Sequence, residues 1–363
     1  MLFVTARALS KRNDKPIRKL FVWNIAVMML YGGHFIYFNH FTSIIPISDT
    51  IYAAMNLLVY PLYLIYISEI TDRTPLSSKP NFLWVAFGIP SITVVAIGST
   101  YLAMNAGTRL EFISNYLYQR QDSPIEGIIL LQKWLHIVCH TIFAFQVIFV
   151  ITAGFRRIRR FNKTIRQLYA DTDHREIKYI PTLLLIFILT SMLSTIVNFI
   201  GRQFFVDSLI VALPSIGFSA LLAALIWLGT KHRFTIHDIP QDQEDETIDS
   251  DTKADSVPTA QSAQIYIKLE NIMNEQQTFL QQDVLLNDVA KLLGTNRTYL
   301  LRALSSCAHM TFKEYVNRKR IAHAEQLIAS NPTMPKSEVA TLSGYNSLSS
   351  FYRNYNTYKK ENR

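Results

Sequence analysis

Charge is what this sequence has least of. Only 17% of its 363 residues are Asp, Glu, Lys or Arg, where soluble domains carry about 25%. The shortage falls on the first two thirds of the chain, and the last third has the composition of an ordinary soluble domain. Cysteine is nearly missing as well. Cys139 lies in an apolar run and Cys307 in the C-terminal third. These positions are expected in different compartments, so no disulfide is expected. There is no Gly-rich phosphate loop, no paired catalytic carboxylates and no nucleophile elbow, which argues against an enzyme. No cofactor is expected either. A cleavable signal peptide is not visible, because MLFVTARALS runs straight into basic residues.

What is present is apolar length. A membrane-spanning helix needs about 20 mostly apolar residues. Six stretches meet that need, at about 20–38, 50–68, 82–104, 134–155, 180–200 and 208–230. Helix is the form expected for them, since backbone in lipid must satisfy its own hydrogen bonds and no strand-like alternation is seen. The N-terminal MLFVTARALS would be the end of a seventh span if the chain once began further upstream.

The loops divide by charge. With the N-terminus inside, the tail and the even-numbered loops hold sixteen Lys and Arg, and the odd loops hold four. Eight of the sixteen lie between Arg156 and Lys178. Positive loops stay cytoplasmic, so this asymmetry predicts a cytoplasmic C-terminus. The basic loop 156–179 is expected to lie against anionic lipid.

Residues 237–263 carry eight acids, one lysine and two prolines. Such a segment has too little apolar surface to offset the entropy of ordering, so it is expected to be a disordered tether.

From Ile265 the apolar spacing becomes helical, with Ile265, Leu269, Ile272 and Met273 on one face. Leu286, Val289, Ala290 and Leu293 then stripe a short helix, Gly294 supplies a sharp turn, and Asn296 is a suitable N-cap for a second helix. That order is a helix-turn-helix. After a longer helix it recurs, with Pro335, Val339, Ala340, Gly344 and Ser347 in the matching places. Two such units on one face would enter successive major-groove turns about 34 Å apart.

Three blocks, LNDVAKLLGTNRTYLLRALSS, TFKEYVNRKRIAHAEQLI and KSEVATLSGYNSLSSFYRNY, stand in this order. Together they resemble the DNA-binding domain of AraC/XylS-type transcription regulators. The resemblance implies sequence-specific binding to double-stranded promoter DNA. In the first unit it assigns base-facing places to Thr298, Leu301 and Arg302, with Asn296 and Arg297 near phosphate. In the second unit the base-facing places fall on Leu348, Ser349, Tyr352 and Arg353. Arg302 and Arg353 can each bridge guanine O6 and N7. The chain departs from the family pattern at Ser305–Cys307, where lysines are usual, and at His309, where glycine is usual.

Polar residues inside spans tend to face the interior of a bundle. Here they include Asn24, His34, Asn56, Glu69, His136, His140, Gln146 and Asn198. His136 and His140 stand four apart on one helical face. No third ligand accompanies them, so no metal is expected. His34, His136 and His140 are candidates for lining a sensor pocket.

The expected protein is therefore all-α. A six-helix transmembrane bundle, seven-helix if the upstream span once existed, precedes an AraC-type domain with two helix-turn-helix units. The boundaries are a basic tail at 1–19, a membrane sensor domain at 20–236, the acidic linker at 237–263 and the DNA-binding domain at 264–363. The expected location is the bacterial cytoplasmic membrane. Expected partners are promoter DNA, the lipid bilayer, an unidentified signal ligand, a second copy in a homodimer and, for an activator, RNA polymerase. The alternative is a transporter-like membrane protein carrying a regulatory or protein-docking helix-turn-helix domain.

Overall fold

The computed structural model describes residues 2–118, 127–169, 175–177, 185, 212–232, 234–239 and 259–361. Among these the chain is helical, without a strand. They fall into two compact units. The first holds residues up to Arg159 together with Ile177–Ile236, and the second holds Arg160–Glu176 and His237 onward.

The first unit contains α1 (Leu2–Lys11), α2 (Lys15–Phe38), α3 (Ile45–Thr71), α4 (Pro80–Ala103) and α5 (Ala106–Glu111), the last continuing as a wider turn over Phe112–Tyr118. Most of α6 (Gly127–Leu168) and α7 (Ala212–Lys231) follow. Asp14 caps α2 by accepting from the Ile17 amide at 3.0 Å, and Pro16 follows where its missing N–H costs nothing. Among the described residues four helices, α2, α3, α4 and α6, are long and apolar enough to cross a membrane. The expected span at 180–200 lies almost wholly outside the described residues, and the one at 208–230 is described from Ala212 as α7.

α3 is the buried centre of this unit and packs on α2 and α4. Its side chains from Val59 to Thr71 are buried without a break. The outward side chains of α4 and α6 are apolar instead: Trp84, Ile92, Val95, Leu102, Phe145 and Ile148 are all exposed. Such an exterior is costly in water and cheap in hydrocarbon.

α6 runs further than its apolar stretch. It continues through the basic segment expected to be a loop and stops at Leu168. Its final turns keep an apolar stripe, with Ile158, Phe161, Ile165 and Leu168 all buried. Arg, Lys and Gln between them are good helix formers.

The second unit is built from α8 (Ala260–Gln276), α9 (Leu286–Leu292), α10 (Arg297–Ala303), α11 (Phe312–Ser330), α12 (Lys336–Leu342) and α13 (Leu348–Glu361). Most of the acidic linker, 240–258, lies outside the described residues. Its expected end does not, because α8 already begins at Ala260 with Thr259 as its cap. A capping box starts α11. Thr311 Oγ1 accepts from the Glu314 amide, and Glu314 accepts from the Thr311 amide. Asn331 and Pro332 end that helix.

α11 serves two small cores. Phe312, Tyr315 and Val316 pack with Leu269, Val289 and Leu300. Two turns further on, Ala324 packs with Val339, Ala340, Tyr345 and Phe351. Each fully buried side chain of this size contributes about 1.5–3 kcal/mol.

Candidate nucleic-acid interface

Each core fixes one pair of short helices. α9 and α10 meet at Gly294, whose φ is 65°, and α12 and α13 meet at Gly344, whose φ is 81°. Both values lie in the left-handed region that glycine alone enters cheaply. Asn296 Oδ1 accepts from the Tyr299 amide at 3.1 Å to start α10. Ser347 Oγ accepts from the Ser350 amide at 3.1 Å to start α13. α13 is amphipathic as a result. Ser350 and Phe351 are buried, while Leu348, Ser349, Tyr352 and Arg353 form an exposed stripe.

The residues assigned to DNA in the first pair are placed unevenly. Arg302 is exposed, and Asn296 is exposed with its side-chain oxygen committed to the cap. Thr298 is half-buried. Leu301 is half-buried too and packs against the core, a placement that leaves less of it for a thymine methyl. Arg297, expected near phosphate, is only 2% exposed. Its Nη2 donates to Gln167 Oε1 at 3.2 Å, and Gln167 comes from the last turn of α6.

A second buried arginine, Arg320 on α11, went unremarked in the sequence. Its Nε donates to the Phe279 carbonyl at 2.7 Å and its Nη2 to the Gln281 carbonyl at 2.6 Å. The guanidinium also lies over the Tyr345 ring, 5.4 Å from its centre. It thereby ties α11 to the segment before α9 and to the turn before α13. The signal was its register, because Val316, Arg320 and Ala324 are spaced by four on the buried face.

Carboxylates complete the framework. Glu270 on α8 accepts from Lys319 Nζ at 2.6 Å and from the Tyr315 hydroxyl at 2.9 Å. Burial pushes the Glu270 carboxyl up, but these partners more than offset it and hold it below its ordinary value. Asp283 accepts from Arg175 Nη2 at 2.6 Å and from Asn346 Nδ2 at 3.2 Å. Burial again raises its carboxyl, and the Arg175 guanidinium brings it below the usual range. Basic loop 156–179, expected against lipid, thus supplies both Gln167 and Arg175 to this unit.

The first unit holds the other candidate site. His34, His136 and His140 do come together around one cavity of about 110 Å³. Asp49 stands in its wall. Its Oδ2 takes the Tyr101 hydroxyl at 2.8 Å and lies 2.8 Å from His136 Nε2. His136 Nδ1 is 2.8 Å from the Gln132 carbonyl, and His140 Nδ1 is 2.7 Å from the His136 carbonyl. Asp49 was missed because it sits one residue before an expected span and reads as a loop residue. Asn24, Glu69 and Gln146 find partners elsewhere in this unit, in Thr5, Ser77 and the Leu57 carbonyl. Asn198 lies outside the described residues.

No curated protein and no solved structure gave a match to the chain. A family model described as "Helix-turn-helix domain" matches residues 289–362, from the middle of α9 to just past the end of α13. The C-terminal part of this chain is therefore a helix-turn-helix domain of the AraC type, the kind that binds DNA in transcription regulators.

Proposed function

We propose that the protein is a membrane-embedded one-component transcription regulator. Helices of the first unit lie in the bacterial cytoplasmic membrane, and the second unit reads promoter DNA from the cytoplasm. The observation that carries this reading is the conjunction of two surfaces in one chain. One is the apolar exterior of α4 and α6, and the other is the helix-turn-helix match at residues 289–362.

In this reading α10 and α13 are the recognition helices of two helix-turn-helix units. Arg302 and Arg353, both exposed, contact base edges, each worth about 1–3 kcal/mol of discrimination. Leu348 and Tyr352 add apolar contact beside Arg353, and Ser349 adds a hydroxyl. The cavity around His34, His136 and His140 receives the signal, and occupancy shifts the DNA-binding part between competent and incompetent states. Pairing of two copies in the membrane would raise the effective concentration of the second DNA-binding part. An activator of this design would also touch RNA polymerase.

Chromatin immunoprecipitation with sequencing on the full-length protein tests this, with the Arg302→Ala, Arg353→Ala double variant alongside. Discrete peaks that vanish in the double variant are expected. Peaks that survive it unchanged would remove these arginines from DNA reading, and the alternative of a protein-docking domain would take over.

A further inference from the structure

The last turns of α6 pack into the helix-turn-helix unit, and they are fastened there at three points. Gln167 accepts from Arg297, the first residue of α10, at 3.2 Å. Tyr169 forms an antiparallel bridge with Leu285, the residue before α9. Arg175 lies over the Tyr169 ring at 4.4 Å and pairs with Asp283 at 2.6 Å. Asp283 in turn accepts from Asn346, two residues before α13. The Gln167–Arg297 contact thus falls at the start of α10 and the Asp283–Asn346 contact just before α13. These are the ends that face a duplex when recognition helices enter the major groove, and Leu285 and Asp283 stand before the supporting helix α9.

The helix that arrives there is strongly basic. Relative to Gln167, Lys163 is four residues back and Arg160 seven back, so all three share one helical face. Both cations are exposed. They stand about 6 Å and about 10 Å along the axis from Gln167. A duplex carries one negative charge per about 1.7 Å of axis, so a stripe this long can meet more than one phosphate. The charge matters because residues 264–363 hold thirteen basic and eight acidic residues, a modest surplus for phosphate binding.

We propose that Arg160 and Lys163 are part of the DNA-binding surface, contacting phosphates beside the start of α10 in a sequence-independent way. The proposal rests on the DNA-reading function above. Gln167, Tyr169 and Arg175 act as positioning residues that hold this basic stripe against the helix-turn-helix unit. Arg166 lies about 100° around the helix from Gln167 and about 120° from Arg160, so it serves as the comparison outside the stripe.

The test uses the full-length protein in phosphatidylcholine nanodiscs and, in parallel, in nanodiscs of anionic phosphatidylglycerol, with a long mixed-sequence duplex carrying a fluorophore. Affinity is measured across a series of KCl concentrations for the wild type, Arg160→Gln/Lys163→Gln and Arg166→Gln. Glutamine keeps the helix propensity and removes only charge. The slope of log K against log salt is expected to become shallower by about 1.8 in the double variant, near 0.9 per lost phosphate contact. It should stay at the wild-type value in Arg166→Gln. A wild-type slope in the double variant, with the wild type still binding duplex, overturns the proposal and leaves the DNA-reading function standing. Failure of the wild type to bind duplex at any salt overturns both. An equal loss per charge in Arg166→Gln would show a diffuse field rather than contacts. A change seen only in nanodiscs of anionic lipid would assign the stripe to the membrane, and either result overturns it.

Discussion

Two glycines with similar backbone angles should respond very differently to alanine. Gly294 has φ 65° and Gly344 has φ 81°. Entering the left-handed region costs an L-residue about 1–2 kcal/mol. Alanine recovers about 0.5–1 kcal/mol of that by restricting the unfolded chain. For Gly294→Ala nothing else is added, because no atom lies within 4 Å of the new Cβ, and the net cost is about 0.5–1 kcal/mol. At Gly344 the new Cβ would lie 2.7 Å from the Leu280 carbonyl oxygen and 2.9 Å from that residue's C and Cα. These are backbone atoms and cannot swing away, so overpacking adds about 1–3 kcal/mol. The expected total is about 1.5–4 kcal/mol for Gly344→Ala.

Hydrogen exchange read by mass spectrometry on the full-length protein resolves this locally. The Ser343 and Tyr345 amides bond to the Val339 and Ala340 carbonyls, and Leu293 and Thr295 do the same to Val289 and Ala290. At 1.4 kcal/mol per tenfold, exchange at Ser343 and Tyr345 should quicken by about tenfold or more in Gly344→Ala. Exchange at Leu293 and Thr295 should quicken only a few-fold in Gly294→Ala. Equal effects in the two variants would refute the steric account, since the backbone angle alone would then set the cost.

His309 stands at φ 52° at the end of the turn that follows α10. His309→Gly should stabilise the second unit by about 0.5–1 kcal/mol, seen as slower exchange through α10 and the start of α11. Stability should also depend on acid. Glu270 and Asp283 are held below their ordinary values in the fold, so they contribute stability above their unfolded values near pH 4. That stability is lost as pH falls through the lower folded values. Limited proteolysis across this range should show the loss, and Glu270→Gln should flatten it. An unchanged acid profile in Glu270→Gln would remove the Lys319 pairing as its cause.

Much of this fold could be read from spacing alone. Apolar runs of sufficient length anticipated α2, α3, α4 and the first part of α6. Gly294, Asn296, Gly344 and Ser347 marked both short helix pairs, because turns and caps depend on neighbours in sequence. The failures share one physical cause, which is contact between residues far apart in the chain. Arg297 stands three residues before Leu300 and seven before Leu304 on the buried face, unlike Arg302, but the glutamine it bonds to comes from 130 positions earlier. Asp49 meets His136 across 87 positions. The continuation of α6 was more accessible, since Ile158, Phe161, Ile165 and Leu168 keep a helical spacing inside the basic run. There the density of charge obscured the periodicity.

That continuation has a consequence for how the protein can be cut or recombined. The C-terminal module is discontinuous in the chain: Arg160–Glu176 and His237 onward form one compact unit. A fragment that begins at the acidic linker would expose Arg297, Leu285 and Asp283 where the end of α6 covers or binds them. Grafting the DNA-binding part onto another membrane protein would thus require a donor helix of matching face and register. Over evolutionary time the same constraint would couple drift in the tail of α6 to drift in the start of α10, so that neither half of this protein is freely exchangeable.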